Sequence, residues 1–266
     1  MLLKRLFWLL LLVLSDPLIA QQVNVIDFAH HFQKYGVEGS FVLYDAQDKN
    51  YTVYDQQRNG QGFIPASTFK IPNSLIALEL GIMEDENTLI KWDGTERSIA
   101  AWNKDMNFAT ALRVSCVPCY QQIARRVGVE RYHKMLNKLD YGNMDVNAQN
   151  LDQFWLRGNS RISPLEQVDF LKQLYKNELE VSQRSMDIVK SMLVLEEKEG
   201  YVLRGKTGWA IDGEYNVGWF VGWIEKGGKP YFFATNVGAT NPDEAKFIQS
   251  RIGITKAILK ELGLYD

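Results

Sequence analysis

Val217-Gly218-Trp219-Phe220-Val221-Gly222-Trp223-Ile224-Glu225 is followed by Gly227-Gly228-Lys229-Pro230 and then by Tyr231-Phe232-Phe233-Ala234-Thr235-Asn236. Aromatic and β-branched residues fill both runs, and the double glycine between them supplies a tight turn, so the stretch predicts a β-hairpin. Tyr201–Lys206 is a third run of the same kind. Downstream, Asn241-Pro242-Asp243-Glu244 predicts a helix start, with Asn241 as N-cap, Pro at N1 and acids in the first turn. That helix is expected to reach Leu262, with Gly263 as its stop and Gly253 as a possible break. Near the other end, Gly39–Asp45 and Asn50–Tyr54 flank the polar Ala46-Gln47-Asp48-Lys49 and predict another hairpin. The middle, from Ser67 to Leu195, is helical in pattern. Ser163-Pro164 with Glu166 there forms a capping box that opens one helix. Strands at both ends and helices between them predict an α+β fold. One antiparallel sheet is flanked by helices, and an all-helical lobe is inserted into it. The sheet lobe takes roughly residues 21–60 and 196–266 and the helical lobe roughly 61–195. A groove between the lobes is the natural place for a site.

The chain has 266 residues, with 30 Lys+Arg against 32 Asp+Glu and a net charge of −2. A hydrophobic content of 46% with 23% charged residues excludes a disordered chain, and the near-zero net charge argues against electrostatic binding of nucleic acid. Lys4 and Arg5 precede an apolar run from Leu6 to Leu14, and Ala20 stands before Gln21. Residues 1–20 therefore read as a secretory signal peptide, and the run is too short to span a membrane. The expectation is a periplasmic protein with no stable membrane anchor, a monomer or a homodimer.

Two cysteines, Cys116 and Cys119, form C-V-P-C. A redox dithiol needs a thioredoxin-like βαβ context, and His30, His31 and His133 show no metal-ligand spacing to the pair, so no metal is expected. A C-x-x-C disulfide within a helical turn is strained, which favours reduced, core-packed cysteines; if oxidised, the pair would brace the turn beside Ser115.

Gly200-Tyr201-Val202-Leu203-Arg204-Gly205-Lys206-Thr207 matches the nucleotide-binding G-x4-G-K-[ST] pattern. The pattern requires a bend from strand to helix, yet here the matched residues read as the strand itself and a turn follows. Ser67-Thr68-Phe69-Lys70 is more informative. Pro72 is tolerated only near a helix start, which puts the Ser67 hydroxyl at the positive end of the dipole and Lys70 one turn on. A lysine activates a serine only when its amine is neutral or modified, and burial lowers a lysine pKa. Ser115-Cys116-Val117, Tyr141-Gly142-Asn143 and Lys206-Thr207-Gly208 say little singly. Their order along the chain says more.

With Pro65–Asn73, Lys91-Trp92-Asp93-Gly94, Gln121–Arg125, Phe154-Trp155-Leu156 and Gly218–Trp223, these motifs resemble the class D serine β-lactamases over essentially the whole mature chain. The resemblance implies a β-lactamase/penicillin-binding transpeptidase-like fold and a small-molecule β-lactam substrate. It implies acylation of Ser67, then hydrolysis with N-carboxylated Lys70 as general base. No cofactor is needed beyond CO2 or bicarbonate to form the carbamate. Trp155 would donate to that carbamate from its indole, a donor-only group. Ser115 would relay a proton to the lactam nitrogen beside Lys206. Thr207 and Arg251 would bind the substrate carboxylate, the Ser67 and Trp209 amides would form the oxyanion hole, and Gly208 completes the strand motif beside them. Val117 would give the lysine an apolar surround, and Tyr141 would shape the groove wall. Two competing readings remain: a β-lactam-sensing domain that acylates without turnover, and a periplasmic dithiol protein.

Overall fold

Strand β8 (Tyr215–Lys226) carries the architecture. Its odd residues Val217, Trp219, Val221 and Trp223 pack into one apolar core, and Phe220 and Ile224 into another on the opposite face. A strand buried on both faces must be central in a sheet covered on both sides. The computed structural model describes residues 22–266; the expected signal peptide lies outside the described residues. The remaining strands are β1 (Val23–Val25), β2 (Glu38–Asp45), β3 (Asn50–Tyr54), β4 (Leu89–Ile90), β5 (Met106–Asn107), β6 (Val194–Lys198), β7 (Tyr201–Asp212) and β9 (Lys229–Thr240). The helices are α1 (Ala29–Gln33), α2 (Gln56–Asn59), α3 (Lys70–Glu79), α4 (Phe108–Arg113), α5 (Val117–Val127), α6 (Val129–Leu139), α7 (Pro164–Lys176), α8 (Gln183–Met192) and α9 (Glu244–Glu261). A 3-10 turn, Ala66–Phe69, leads into α3.

The main sheet has seven strands in the order β1-β3-β2-β9-β8-β7-β6. The two hairpins form as the sequence predicts: β2 with β3, and β8 with β9 around Gly227-Gly228. Helices α1 and α9 cover one face. On the other, α7 packs on β2, β8 and β9, and the remaining inserted helices form the lobe beyond it.

Four expectations need correction. The sheet is not wholly antiparallel, because β1 pairs with β3 in parallel at the edge; three residues, Val-Asn-Val, carry too little pattern to be read. The last helix is capped by Asp243, whose carboxylate accepts from Lys246 N–H, and not by Asn241, which sits at φ 47°. Gly253 does not break that helix. Its missing side chain admits the ring of Tyr35, whose Oη lies 2.2 Å from where a Cβ would stand, so the glycine serves close packing. Cys116 and Cys119 are joined as a disulfide. The strain argument assumed both inside a helical turn, but Cys116 is the N-cap of α5, at φ −59° and ψ 100°. Its Cα is 5.4 Å from that of Cys119, an ordinary separation for a bridge.

Candidate active site

The groove between sheet and helical lobe has a volume of about 250 Å³. Ser67, Ser115, Val117, Thr207, Gly208, Trp209 and Arg251 line it, as do Ile99, Trp102 and Val114. Five segments converge there: the 3-10 turn before α3, the stretch 99–102, the α4–α5 connection, β7 and α9.

Ser67 is pinned from several sides. The indole of Trp219 donates to Ile64 O at 2.8 Å and ties the incoming chain to β8. Gly208 lets β7 approach it closely, since a Cβ there would stand 3.1 Å from Pro65 O and 3.2 Å from Thr68 Cγ2. Thr68 donates to Pro65 O at 2.6 Å and accepts from Gln167 on α7 at 2.8 Å. Ala66 at φ 51° and Ser115 at φ 55° are non-glycine residues in the left-handed region. Such strain persists where surroundings over-determine it, and it concentrates at functional sites.

Lys70 lies behind Ser67, 0% exposed, with Nζ 2.8 Å from Ser67 Oγ. Burial, and secondarily the charge of Lys206, holds its pKa well below the usual lysine range. Phe69 and Tyr120 are the aromatic neighbours: Tyr120 lies 5.2 Å from Nζ, ring centre to nitrogen. Trp155 stacks on Phe69 at 5.7 Å. The Trp155 indole is fully buried, and its Nε1–H has no hydrogen-bond partner among the described residues. A buried orphan donor of that kind costs about 1–3 kcal/mol, so the site is built to receive an acceptor.

Lys206 Nζ donates to Ser115 Oγ at 3.0 Å and to Thr207 O at 2.9 Å. Burial first, then the charge of Arg251, lowers its pKa to about 7. Arg251 reaches across the sheet face to donate to Gly208 O at 2.9 Å. Its stem lies over Gly218, where a Cβ would come within 3.0 Å of Arg251 Cγ and Cδ. Burial lowers its pKa to about 10, which leaves the guanidinium a fixed cation at neutral pH.

Two sets of backbone donors face the groove. Ser67 N–H lies in the first helical turn, where amides have no intrahelical acceptor. Gly205 N–H donates to Leu193 O, and alternation along β7 aims the Thr207 and Trp209 amides to the same side. The β6 pairing ends at Arg204, so those two amides meet no strand.

Tyr141 is a correction. It is 1% exposed, its hydroxyl is 3.3 Å from Thr68 Oγ1 and donates to Gln167 Oε1 at 3.1 Å, and its ring packs edge-on against Phe69. It supports Ser67 from behind and does not form the groove surface. The nucleotide-binding pattern at 200–207 lies on β7 with no helix after it, so it builds no phosphate cradle. Sequence reading missed Ile99, Trp102 and Val114. Trp102 closes the groove opposite β7, with its indole donating to Val114 O at 3.1 Å. Nothing in the run Ser98-Ile99-Ala100-Ala101-Trp102 marks it as a wall.

Residues 39–262 match the family model for the penicillin binding protein transpeptidase domain. The chain is 45% identical over 231 residues to β-lactamase OXA-48 of Klebsiella pneumoniae, covering 87% of this chain and 86% of that protein. The crystal structure of a class D β-lactamase from Nostoc superposes with a TM-score of 0.85 at 42% identity, over 90% of this chain and 99% of that one. The regulatory protein BlaR1 of Bacillus licheniformis is 35% identical over 91% of this chain but only 40% of its own length.

Proposed function

Since the chain belongs to the class D β-lactamases and so hydrolyses β-lactams, we propose that it opens the ring of penicillin-type antibiotics through an acyl-enzyme on Ser67, with Lys70 as general base. The observation that carries this reading is the buried Lys70 Nζ, 2.8 Å from Ser67 Oγ, where burial lowers its pKa well below the usual lysine range. The carbamate of N-carboxylated Lys70 would accept the Ser67 proton as Oγ attacks the lactam carbonyl, the role an adjacent base plays for any serine nucleophile. Only an unprotonated amine adds CO2, and the orphan Trp155 indole N–H fits a carbamate oxygen on Lys70. In that N-carboxylated state the lysine would supply an anionic base able to activate the hydrolytic water.

The other groups take roles their places support. Negative charge developing on the carbonyl oxygen would be met by the Ser67 and Trp209 amides, each worth roughly 10²–10³ in rate. Ser115, fed by Lys206 at 3.0 Å, would protonate the departing lactam nitrogen. A lysine with a pKa near 7 can both give and regain that proton at neutral pH. Thr207 and Arg251 would hold the substrate carboxylate, Arg251 through a charge-assisted contact. Val117 and Trp102 supply apolar walls for the substrate body. The Cys116–Cys119 bridge would hold Ser115 and Val117 at their places in the groove. Export to the periplasm follows from the leader read at residues 1–20. No helix among the described residues is long and apolar enough to cross a membrane.

The likeness to BlaR1 favours one second reading, a sensor that acylates and stays acylated. Hydrolysis of a chromogenic cephalosporin by the purified mature chain, with and without bicarbonate, separates the two. Sustained turnover that rises with bicarbonate is expected; one stoichiometric burst without turnover would transfer the reading to the sensor.

A further inference from the structure

Far from the groove, the first and last helices meet through three side chains that the reaction does not use. Glu261 ends α9, and His30 and His31 lie side by side on α1. Both imidazoles present Nε2 to the same carboxylate oxygen, His31 at 2.7 Å and His30 at 3.5 Å from Glu261 Oε2. The one ligand atom each residue offers lies within 4.8 Å of the other two. The two rings are 3.9 Å apart between centroids. Glu261 has no Lys or Arg partner among the described residues; its carboxylate instead shares a hydrogen bond with His31 Nε2.

The spacing suits a metal ion. Tetrahedral coordination at 2.0–2.1 Å places ligand atoms about 3.3 Å apart, and the two nitrogen–oxygen separations fall on either side of that value. Two neutral imidazoles and one carboxylate form an N,N,O donor set, which suits Zn²⁺, Cu²⁺ or Ni²⁺ and not Mg²⁺ or Ca²⁺. His31 is mostly buried while His30 and Glu261 are open to solvent, so water can complete the shell and the ion has a path in.

We propose that His30 Nε2, His31 Nε2 and Glu261 Oε2 bind one divalent transition-metal ion, Zn²⁺ in an oxidising exported compartment, and that the ion clips α1 to α9. The clip joins segments 230 residues apart in the chain, and its binding energy adds directly to folding stability, since the unfolded chain has no such preformed site. Arg251 lies ten residues, about 15 Å, up the same helix, so occupation leaves the catalytic groove untouched.

The test is calorimetric titration of ZnCl₂ into the purified mature chain, prepared without a polyhistidine tag, with thermal unfolding in parallel. One Zn²⁺ per chain is expected, with a rise in melting temperature of roughly 5–10 °C at a hundredfold excess over Kd. His31→Ala and Glu261→Gln should each weaken binding at least tenfold, His133→Ala should leave it unchanged, and all three should keep wild-type turnover, which certifies their fold. Absence of saturable one-to-one binding, or equal binding by Glu261→Gln and the wild type, would overturn the proposal. So would a loss on His133→Ala as large as that on His31→Ala.

Discussion

Replacing Lys206 by Met should stabilise the fold while abolishing efficient turnover. Lys206 is 5% exposed, and its pKa falls from 10.5 to about 7 on folding, chiefly through burial. A lysine whose folded pKa lies below its unfolded value binds its proton less well in the native state, so it destabilises the fold wherever the unfolded chain holds that proton. The penalty is complete below about pH 7. It shrinks as the folded group deprotonates above that pH, and it vanishes above the unfolded value. A shift of about 3.5 units at 1.36 kcal/mol each amounts to roughly 4–5 kcal/mol at or below neutral pH. Met fills similar volume without charge. It strands Ser115 Oγ and Thr207 O, which offsets about 1–2 kcal/mol. The net expectation is a gain of roughly 2–3 kcal/mol at pH 6.5, or about 5–10 °C in melting temperature. By pH 10 most of the gain should be gone. Urea unfolding of both proteins at pH 6.5, 8 and 10 measures it. A variant less stable than the wild type at pH 6.5, or a difference that does not change with pH, would refute the burial argument.

Trp155→Phe keeps the ring against Phe69 but removes the orphan donor, so kcat should fall at least tenfold and recover in part with added bicarbonate, while the urea midpoint moves little. Gly218→Ala puts a methyl group 2.6 Å from Val237 Cγ2 and 3.0 Å from the Arg251 stem; the fold should lose stability through the Val237 contact, and KM for a penicillin should rise roughly tenfold with kcat less affected, as expected when ground-state binding is lost. Reduction of Cys116–Cys119, read by intact mass as a gain of about 2 Da for the two added hydrogens, should lower kcat several-fold, because the bridge encloses Val117 and starts at the residue after Ser115; unchanged kinetics in the reduced protein would remove the bridge from the mechanism.

The aromatic hairpin of β8 and β9 and the capping box at Ser163 were legible because their signals are local: alternation, a glycine turn, and a Ser–Glu pair three residues apart. The serine–lysine pair was legible for the same reason, one helical turn being fixed by spacing alone. What stayed hidden depends on distant partners. Trp102 becomes a wall only because β7 lies opposite. Tyr141 was expected on the groove wall, yet its ring is buried against Phe69 and Phe170. Gly253 resembled a break in the helix until Tyr35 filled the space beside it. Asn241 looked like the cap, but the proline that follows belongs to the approach and Asp243 accepts from the Lys246 amide. The bridge at Cys116 was misjudged because helix boundaries shift by a residue or two, and a single position separates a strained helical pair from an N-cap with room for the bond.

The central claim is that Lys70 is a neutral amine that takes up CO2 and then serves as the base for Ser67. Carbon-13 NMR of the purified chain in ¹³C-bicarbonate tests it most directly. The prediction is one protein-bound carbamate resonance, lost in Lys70→Ala, weakened in Trp155→Phe and proportional to turnover as bicarbonate is titrated. A fully active enzyme with no such resonance would contradict it.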